Sequence, residues 1–294
     1  MSNFRENIET ELKEKRPNLN PSSLKTYVSI LFNLNKKLNP DNETLDVFND
    51  DVKILEILKE KSPQTRKTVL SALFVLTGNE NYQKVMLDDC RQTNEMYKSQ
   101  KKSQKEEDNW MSSSEIKEIY DDLYQRVALM FSQKLIADYT TINNFILLGC
   151  LGAGASGLSP RRSKDYTEMK IKNYSKEDNY YKAGKFHFNV YKTANQYGEQ
   201  VIDVKQKAPE FYKILNKWVK INPTEYLLFS SNKQKLTSPQ ITRMLNKLLG
   251  KNVSLSMLRH IFLTDKYGDI QNEMEEDAKE MSHSSNMQAL YIKK

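Results

Sequence analysis

Apolar residues in the first hundred positions recur at the three- to four-residue spacing of amphipathic helices. This spacing predicts helices over residues 4–12, 24–38, 52–58, 65–76 and 82–97. Ser22-Ser23 is positioned to cap the second of these helices, Ser62-Pro63 is typical of a helix start, and Gly78 is typical of a helix end. The pattern therefore predicts a small all-helical domain over residues 1–100.

The apolar pattern stops at the polar run of residues 98–108, KSQKKSQKEED. We predict a linker at residues 101–109, because a domain core cannot continue through a run without apolar side chains. Beyond it, the capping-box pattern from Ser112 to Glu115 predicts a helix start, and residues 141–151 are apolar enough for a buried helix. A second domain thus begins near residue 110.

Strand-like segments appear only in the second half of the chain. Three short segments are rich in β-branched and aromatic residues and are separated by turn-forming residues, at 166–171, 185–191 and 200–204. They predict a three-stranded antiparallel sheet, followed by an amphipathic helix over residues 209–219. The predicted fold class is mainly α with a small antiparallel β-sheet, in which a helical domain precedes an α+β domain over residues 110–294.

The amino-acid composition indicates which class of partner the chain binds. The chain has 294 residues, enough for about two domains, and 45 basic against 38 acidic residues give it a formal net charge of +7. A basic balance favours a polyanionic partner. Cys90 and Cys150 match no metal-ligand spacing, so we expect neither a zinc site nor a disulfide framework. Without an apolar leader or an apolar run of about 18 residues, we expect an intracellular protein with no membrane partner.

The residues with the most informative chemistry lie in the stretch from 252 to 294. It contains two of the three histidines, His260 and His283, together with Arg259 and Tyr291. Arginine matches phosphate oxygens with a planar fork, histidine adds a hydrogen bond or a proton, and tyrosine can act as a covalent nucleophile. An arginine beside a histidine is more often a salt-bridged helix pair than a site, so the order of the residues has to decide.

That order resembles the second half of the tyrosine recombinase (phage integrase) family. Ser256-Met257-Leu258-Arg259-His260 stands where the family has H-x-L-R-H, Met281-Ser282-His283-Ser284-Ser285 where it has L-G-H-S-S, and Tyr291 where it has the nucleophilic tyrosine. The sequence SSLKTYVSIL at residues 22–31 is similar to the family's helical DNA core-binding (SAM-like) domain. The resemblance implies a core-binding domain over residues 1–100 and a catalytic domain over residues 110–294.

The resemblance also implies a set of catalytic residues besides Arg259, His283 and Tyr291. In the family the first arginine follows a Gly-Leu turn and is held by an acid three residues later. Arg162 with Asp165 has that spacing, whereas Arg161 lies closer to the Gly-Leu turn. We favour Arg162 as catalytic and treat Arg161 as the phosphate-contacting alternative. The family's catalytic lysine lies on a β-hairpin and corresponds to Lys192, with Lys185 as its rival.

The sequence departs from the family pattern at two points. Ser256 stands in place of the first histidine of the second arginine motif, and a serine can hydrogen-bond phosphate but cannot act as a base at neutral pH. The interval from His283 to Tyr291 is eight residues, about one shorter than usual. On one unbroken helix that interval would rise about 12 Å, so we expect the chain to bend between them. His260 is either a DNA contact or a structural hydrogen-bonding residue.

The function implied by the resemblance is site-specific recombination or integration of DNA, as performed by the integrase of a virus or mobile element. Cleavage and rejoining would pass through a covalent 3′-phosphotyrosine, with no metal or nucleotide cofactor. The expected partners are double-stranded DNA and further copies of the chain, as a dimer on one site and a tetramer in synapsis, in the nucleus or cytoplasm depending on the host. Two alternatives stay open: type IB topoisomerase-like relaxation of DNA, and a catalytically inactive DNA-binding relative, which Ser256 favours.

Overall fold

The computed structural model describes residues 2–40, 43–134 and 139–293. The chain divides into two compact units between Lys101 and Lys102. Each unit encloses its own cluster of buried apolar side chains, as expected for a chain of this length. The outer ends of the two predicted domains, Met1 and Lys294, lie outside the described residues.

The described part of the first unit is helical. It forms α1 (Ser2–Lys15), α2 (Pro21–Leu38), a 3₁₀ turn (Asp46–Asn49), α3 (Asp51–Leu58), α4 (Pro63–Thr77) and α5 (Glu80–Lys98). Each contains one of the segments in which helical spacing predicts a helix, apart from the 3₁₀ turn. In α1 the predicted face of Phe4, Ile8 and Leu12 is buried in the core of this unit. The periodicity was thus sufficient to find these helices, and in α1 it also marks the buried face.

Helix ends in the first unit follow local side-chain chemistry. The Asn20 side chain accepts a hydrogen bond from the Ser22 N–H, and Pro21 occupies the first position of α2. The predicted cap at Ser22-Ser23 is therefore wrong, because proline needs no N–H partner at that position and the helix begins before the serines. Gly78 ends α4 with a left-handed backbone (φ 70°), as predicted.

The described part of the second unit combines helices with one small sheet. Its helices are α6 (Gln104–Asn109), α7 (Ser113–Ser132), α8 (Tyr139–Leu151), α9 (Ser163–Thr167), α10 (Ala194–Tyr197), α11 (Val204–Lys207), α12 (Pro209–Ile221), α13 (Ser238–Leu249), α14 (Leu255–Glu280) and α15 (Ser285–Tyr291). Its strands are β1 (Tyr180–Lys182), β2 (Lys185–Phe188) and β3 (Gln200–Asp203). The predicted buried helix, α8, has an unbroken run of buried residues from Phe145 to Leu151. None of the described helices is both long and apolar enough to cross a bilayer.

The three strands form one antiparallel sheet in the order β1-β2-β3. In its register Tyr180 pairs with His187, and His187 pairs with Val201. The connection between β2 and β3 is long and contains the short helix α10, whereas β1 and β2 are joined by a two-residue turn. The predicted fold class, mainly α with a small antiparallel sheet, is confirmed.

The first predicted strand is misplaced. Residues 166–171 do not form a strand, because Tyr166 lies in α9 and only Lys170 makes isolated bridges. Tyr166 instead packs edge-on against Phe186 and Phe188, with ring centroids 5.7 and 5.5 Å away. The aromatic side chain that made the segment resemble a strand is thus packed against the sheet, and local composition cannot distinguish that from a place within the sheet.

The predicted linker at residues 101–109 is largely helical. Ser103 and Glu106 form a capping box that starts α6, whose residues are polar and which has no buried residue. The Asn109 side chain accepts a hydrogen bond from the Asn252 N–H at 2.9 Å, just before α14. Because α6 is anchored to its own unit through polar contacts, it needs no apolar face.

Candidate active site

Arg259 lies near the start of α14, where the helix is anchored in the core. Ser254 caps the helix by accepting a hydrogen bond from the Met257 N–H, and Met257, Leu258 and Ile261 are buried. This anchoring leaves Arg259 half-buried, with no hydrogen bond or ion pair to its guanidinium among the described residues. Arg259 lines a pocket of about 310 Å³ together with Ser159 and Pro160, which directly precede the two candidate arginines. Two motif segments that are 100 residues apart thus share one surface concavity.

Arg161 is held by an extensive network. Its Nε donates to Asp165 Oδ2 at 2.8 Å, and its Nη1 donates to Gln200 Oε1 at 2.7 Å. Its guanidinium carbon lies 4.0 Å from the ring centroid of Phe188 and 5.1 Å from that of Tyr191. Two bonds leave three of its five N–H donors available. Arg161 is thus oriented while keeping donors for an anion.

The predicted pairing of Arg162 with Asp165 is wrong. Arg162 is the N-terminal capping residue of α9, and its guanidinium has no hydrogen-bond or ion-pair partner among the described residues. The Asp165 N–H donates a hydrogen bond to the Arg162 carbonyl, and this bond forms the first turn of α9. The turn directs the Asp165 carboxylate to the side chain of Arg161, four residues earlier in the chain. Spacing along the sequence could not reveal this turn, so the three-residue interval pointed to the wrong arginine.

Asp165 is buried with one carboxylate oxygen unused. Oδ2 accepts from Arg161, whereas Oδ1 has no hydrogen-bond partner among the described atoms. Burial raises the pKa of this carboxyl, although the neighbouring Arg161 and Arg162 lower it. The ion pair is therefore sensitive to solvation, and its main effect is to fix the direction of the Arg161 side chain.

Lys192 lies in the connection between β2 and β3. Its side chain is exposed and has no partner among the described residues. The residue before it, Tyr191, contacts the Arg161 guanidinium and donates from its hydroxyl to the Gly198 carbonyl at 2.7 Å. Gln200, at the far end of the same connection, also bonds Arg161. Arg161 thus contacts both ends of the loop that carries Lys192. Lys185, the alternative candidate for the catalytic lysine, lies within the sheet, with its Nζ 3.8 Å from Asp203 Oδ2.

Ser256 and His260 flank Arg259 on α14. Ser256 is the second residue of the helix and is exposed, next to backbone N–H groups that lack partners within the helix. The His260 Nδ1 lies 2.9 Å from Glu106 Oε1 of α6. Bonds from the Ser103 N–H and hydroxyl, and then from His260, hold the pKa of Glu106 below its usual range. His260 is therefore engaged in a contact within its unit, and a DNA contact through the same nitrogen would have to displace Glu106.

His283 and Tyr291 are brought together by a break between two helices. Helix α14 ends at Glu280, Ser282 adopts a left-handed backbone (φ 57°), and α15 begins at Ser285. This expected bend places the two rings with their centroids 5.6 Å apart. Nε2 of His283 is buried without a hydrogen-bond partner among the described atoms, and Tyr291 is 62% exposed. An unpaired ring nitrogen beside an accessible phenol is suited to meet a polar ligand.

The structure thus forms three local groups from the predicted site residues. Arg161 is joined to the Lys192 loop, Arg259 to the segment before Arg161, and His283 to Tyr291. Sequence reasoning missed Gln200, because a glutamine at the start of a strand carries no distinguishing pattern. Within the described residues, no three His, Cys, Asp or Glu side chains are grouped as metal ligands.

Comparison with known proteins gives distant structural matches. No protein-family model and no curated protein sequence matches the chain. The chain is similar to the crystal structure of XerA recombinase, with 14% identity and a TM-score of 0.34 over 90% of this chain and 84% of that one. It is also similar to a lambda integrase(75-356) dimer bound to a COC′ core site, with 13% identity and a TM-score of 0.44 over 92% of this chain and 90% of that one. At these values, the roles of residues have to be argued from the contacts within this chain.

Proposed function

We propose that this protein is a site-specific DNA recombinase or integrase of the tyrosine recombinase type. The observation that carries the proposal is the pocket shared by Arg259 and the segment directly before Arg161 and Arg162. A surface concavity of a basic chain that is lined by the Arg259 guanidinium and the Lys266 ammonium is suited to a phosphodiester. The contact of His283 with the accessible Tyr291 supplies a hydrogen-bonding group and a nucleophile from the third motif.

In the proposed reaction, Tyr291 Oη attacks a DNA phosphorus while the bond from phosphorus to the 5′ oxygen breaks. The products are a 3′-phosphotyrosine and a free 5′ hydroxyl, and the phenol can lose its proton to water because the side chain is exposed. Arg161 and Arg259 stabilise charge on the nonbridging oxygens, His283 donates to one of them, and Lys192 protonates the leaving oxygen. A 5′ hydroxyl from another strand then displaces the tyrosine, so this scheme requires neither a metal nor a nucleotide cofactor.

We assign the first arginine role to Arg161. The resemblance identifies that arginine by the acid that holds it, and Asp165 holds Arg161. A guanidinium fixed by Asp165, Gln200 and two aromatic rings is preorganised, which is the property that stabilises a transition state most effectively. Arg162 then becomes the neighbouring phosphate contact, the reverse of the assignment that spacing favours.

The proposal includes partners and domain roles. Double-stranded DNA is the substrate, and the first unit serves as the core-binding domain, with a dimer on one site and a tetramer in synapsis. The net charge of +7 supports a polyanionic substrate. The protein would act inside a cell, wherever the DNA of its host lies.

A covalent trapping assay tests the proposal. The full chain is first used to select bound duplexes from a random-sequence library, and the selected sequence is then prepared with a nick beside the cleavage position. Loss of the short 5′-hydroxyl fragment traps the intermediate, which is detected as a protein–DNA adduct in denaturing gels. We expect an adduct at the 3′ phosphate and subsequent joining to a second DNA. Binding without any adduct would support an inactive DNA-binding protein, and relaxation of supercoils without joining would support a topoisomerase.

The assignment of Arg161 and Arg162 makes a distinct prediction. Arg161→Lys is expected to reduce adduct formation by about 10²-fold, because lysine keeps the charge but loses the fork held by Asp165 and Gln200. Arg162→Lys serves as the matched control and is expected to cost less than about tenfold, because its guanidinium makes no bond that lysine would lose. Thermal unfolding identifies variants that fail to fold. A large loss of adduct formation in Arg162→Lys and no loss in Arg161→Lys would show that Arg162, and not Arg161, has the role of the first arginine.

Ser256 permits a gain-of-function prediction. Ser256→His is expected to match or exceed the wild-type cleavage rate, because an imidazole can accept and donate a proton near neutral pH. The exposed second position of α14 can accommodate the larger side chain. We propose that the Ser256 hydroxyl donates a hydrogen bond to the phosphate. Ser256→Ala is then expected to slow adduct formation about fivefold, since one neutral hydrogen bond contributes about 1 kcal/mol. An inactive histidine variant with a fully active alanine variant would contradict the proposed phosphate contact.

A further inference from the structure

Asn179 is a buried polar residue to which the proposed reaction gives no role. It directly precedes β1 and is 5% exposed. Its Nδ2 donates to the Asp165 carbonyl at 3.1 Å and to the Val190 carbonyl at 2.8 Å. Its Oδ1 accepts from the N–H groups of Asn189 and Val190, both at 2.8 Å. A side-chain amide has two N–H donors and two acceptor lone pairs, so Asn179 uses its full hydrogen-bonding capacity.

These four bonds join two segments of the proposed site. Asp165 provides the carboxylate that orients the first arginine, and Val190 lies two residues before Lys192. Strand pairing in β2 ends at Phe188, so the ladder of the sheet no longer holds the chain beyond that residue. The Asn179 amide continues the hydrogen bonding where the ladder ends. It therefore fixes the point from which the chain leaves the sheet toward Lys192.

Few other contacts hold the start of the Lys192 loop, residues 189–199. Both backbone polar groups of Val190 bond to Asn179 and to no other group among the described residues. The Val190 side chain is 50% exposed, so packing adds little to this anchor. The Tyr191 ring lies 5.1 Å from the guanidinium carbon of the first arginine, but its hydroxyl bond stays within the loop. The start of the loop thus depends mainly on the amide.

The other segment that Asn179 contacts is held independently. The Asp165 N–H donates to the Arg162 carbonyl in the first turn of α9, and the Asp165 side chain is buried. On the loop, Asn189 Nδ2 donates to the Asp178 carbonyl at 2.9 Å, directly before Asn179, and so supports the same anchor. Loss of the Asn179 amide would therefore free the loop and leave the carboxylate of the arginine pair in place.

We propose that Asn179 is a positioning residue for Lys192, which it holds where the lysine ammonium reaches the leaving 5′ oxygen. This role rests on the proposed function, in which Lys192 gives a proton to that oxygen as the phosphorus–oxygen bond breaks. The lysine stem is flexible, so the backbone has to be fixed for the proton to be delivered. A displacement of about 1 Å can slow a reaction about 10²-fold. Aspartate has the same size as asparagine but lacks both N–H donors.

A leaving group that needs no proton tests this role. The duplex selected in the trapping assay is prepared with either oxygen or sulfur as the 5′ bridging atom. With sulfur, Tyr291 forms the same phosphotyrosine while the phosphorus–sulfur bond breaks. A thiol has a pKa of about 8.5, so it leaves as a thiolate without an acid. Under single-turnover conditions at saturating full chain, Lys192→Ala is expected to be about 10²-fold slower with oxygen and within about threefold of wild type with sulfur.

Asn179→Ala is expected to show the same selectivity as Lys192→Ala. Adduct formation should be about 10²-fold slower with oxygen and within about threefold of wild type with sulfur. Arg161→Lys is expected to slow both substrates, because its guanidinium acts on the nonbridging oxygens. Asn179→Asp keeps an acceptor for the two N–H groups and is the second variant if the alanine variant unfolds. It is expected to be about tenfold slower with oxygen alone.

Asn222→Ala is the matched control. Asn222 is also buried in the second unit, where it donates to the Tyr226 carbonyl at 3.0 Å and accepts from the Thr224 N–H at 2.8 Å. Its loss is expected to lower the unfolding temperature about as much as Asn179→Ala does, and to change neither cleavage rate more than about threefold.

Two kinds of failure are distinguishable. Equal slowing of both substrates by Asn179→Ala, normal rates in that variant, or a Lys192→Ala variant that sulfur does not rescue would each overturn the positioning role. In all three cases the adduct formed by wild type would leave the proposed function standing. A wild type that forms no adduct with either bridging atom would overturn both.

Discussion

Tyr291→Phe is expected to abolish the covalent protein–DNA adduct while leaving DNA affinity within about twofold of wild type. The change removes one hydroxyl and no positive charge, and phosphate contacts by cations dominate affinity for DNA. The Tyr291 side chain is 62% exposed, so the folded state does not depend on that hydroxyl. Denaturing gels measure the adduct, and a filter-binding titration on the same duplex measures affinity.

Tyr267→Phe is the matched control for this experiment. Tyr267 is also an exposed tyrosine, and it lines the pocket at Arg259. We expect it to form the adduct at nearly the wild-type rate. If Tyr267→Phe formed no adduct and Tyr291→Phe still formed one, Tyr267 would be the nucleophile and the proposed role of Tyr291 would be wrong.

Arg259 is the second position at which a large effect is expected. Arg259→Lys should slow adduct formation by about 10²-fold and Arg259→Ala by about 10³-fold, because lysine keeps a positive charge and alanine loses both charge and donors. The Arg259 guanidinium has no hydrogen-bond or ion-pair partner among the described residues, so neither variant should lose stability through a broken bond within the protein. Single-turnover cleavage and thermal unfolding together separate the two effects.

Arg243→Ala on α13 supplies the matched loss of one positive charge from an exposed arginine. It is expected to weaken DNA binding modestly and to leave the cleavage step of bound DNA unchanged. Near-normal cleavage by Arg259→Ala under saturating protein would show that Arg259 acts only in the structure of the helix or in general attraction to DNA.

Local chemistry explains why much of the fold could be predicted. Helical periodicity located the helices of the first unit, and the inner faces of α8 and α12 are the ones the apolar pattern marked. The capping box at Ser112 and the left-handed Gly78 are also as predicted, because caps depend on side chains within one turn. The strand predicted at 166–171 is wrong, because an aromatic residue such as Tyr166 can pack against a sheet as well as lie within it.

The sequence by itself determined which chemical groups are available. The order of Arg259, His283 and Tyr291 predicts phosphate chemistry without any coordinates, and the eight-residue interval before Tyr291 predicts the bend that the helix break supplies. Such conclusions depend on residue type and on short intervals along one chain, where backbone geometry is nearly fixed.

Only the tertiary structure decided how these groups are held. The first turn of α9 gives Asp165 to Arg161 instead of Arg162, and Gln200 and Tyr191 tie that arginine to both ends of the Lys192 loop. Packing against the rest of the unit also decides that Met257, Leu258 and Ile261 are the buried residues in the first turns of α14. These features depend on directions of side chains and on contacts between distant segments, and a linear pattern of apolar and polar residues contains neither.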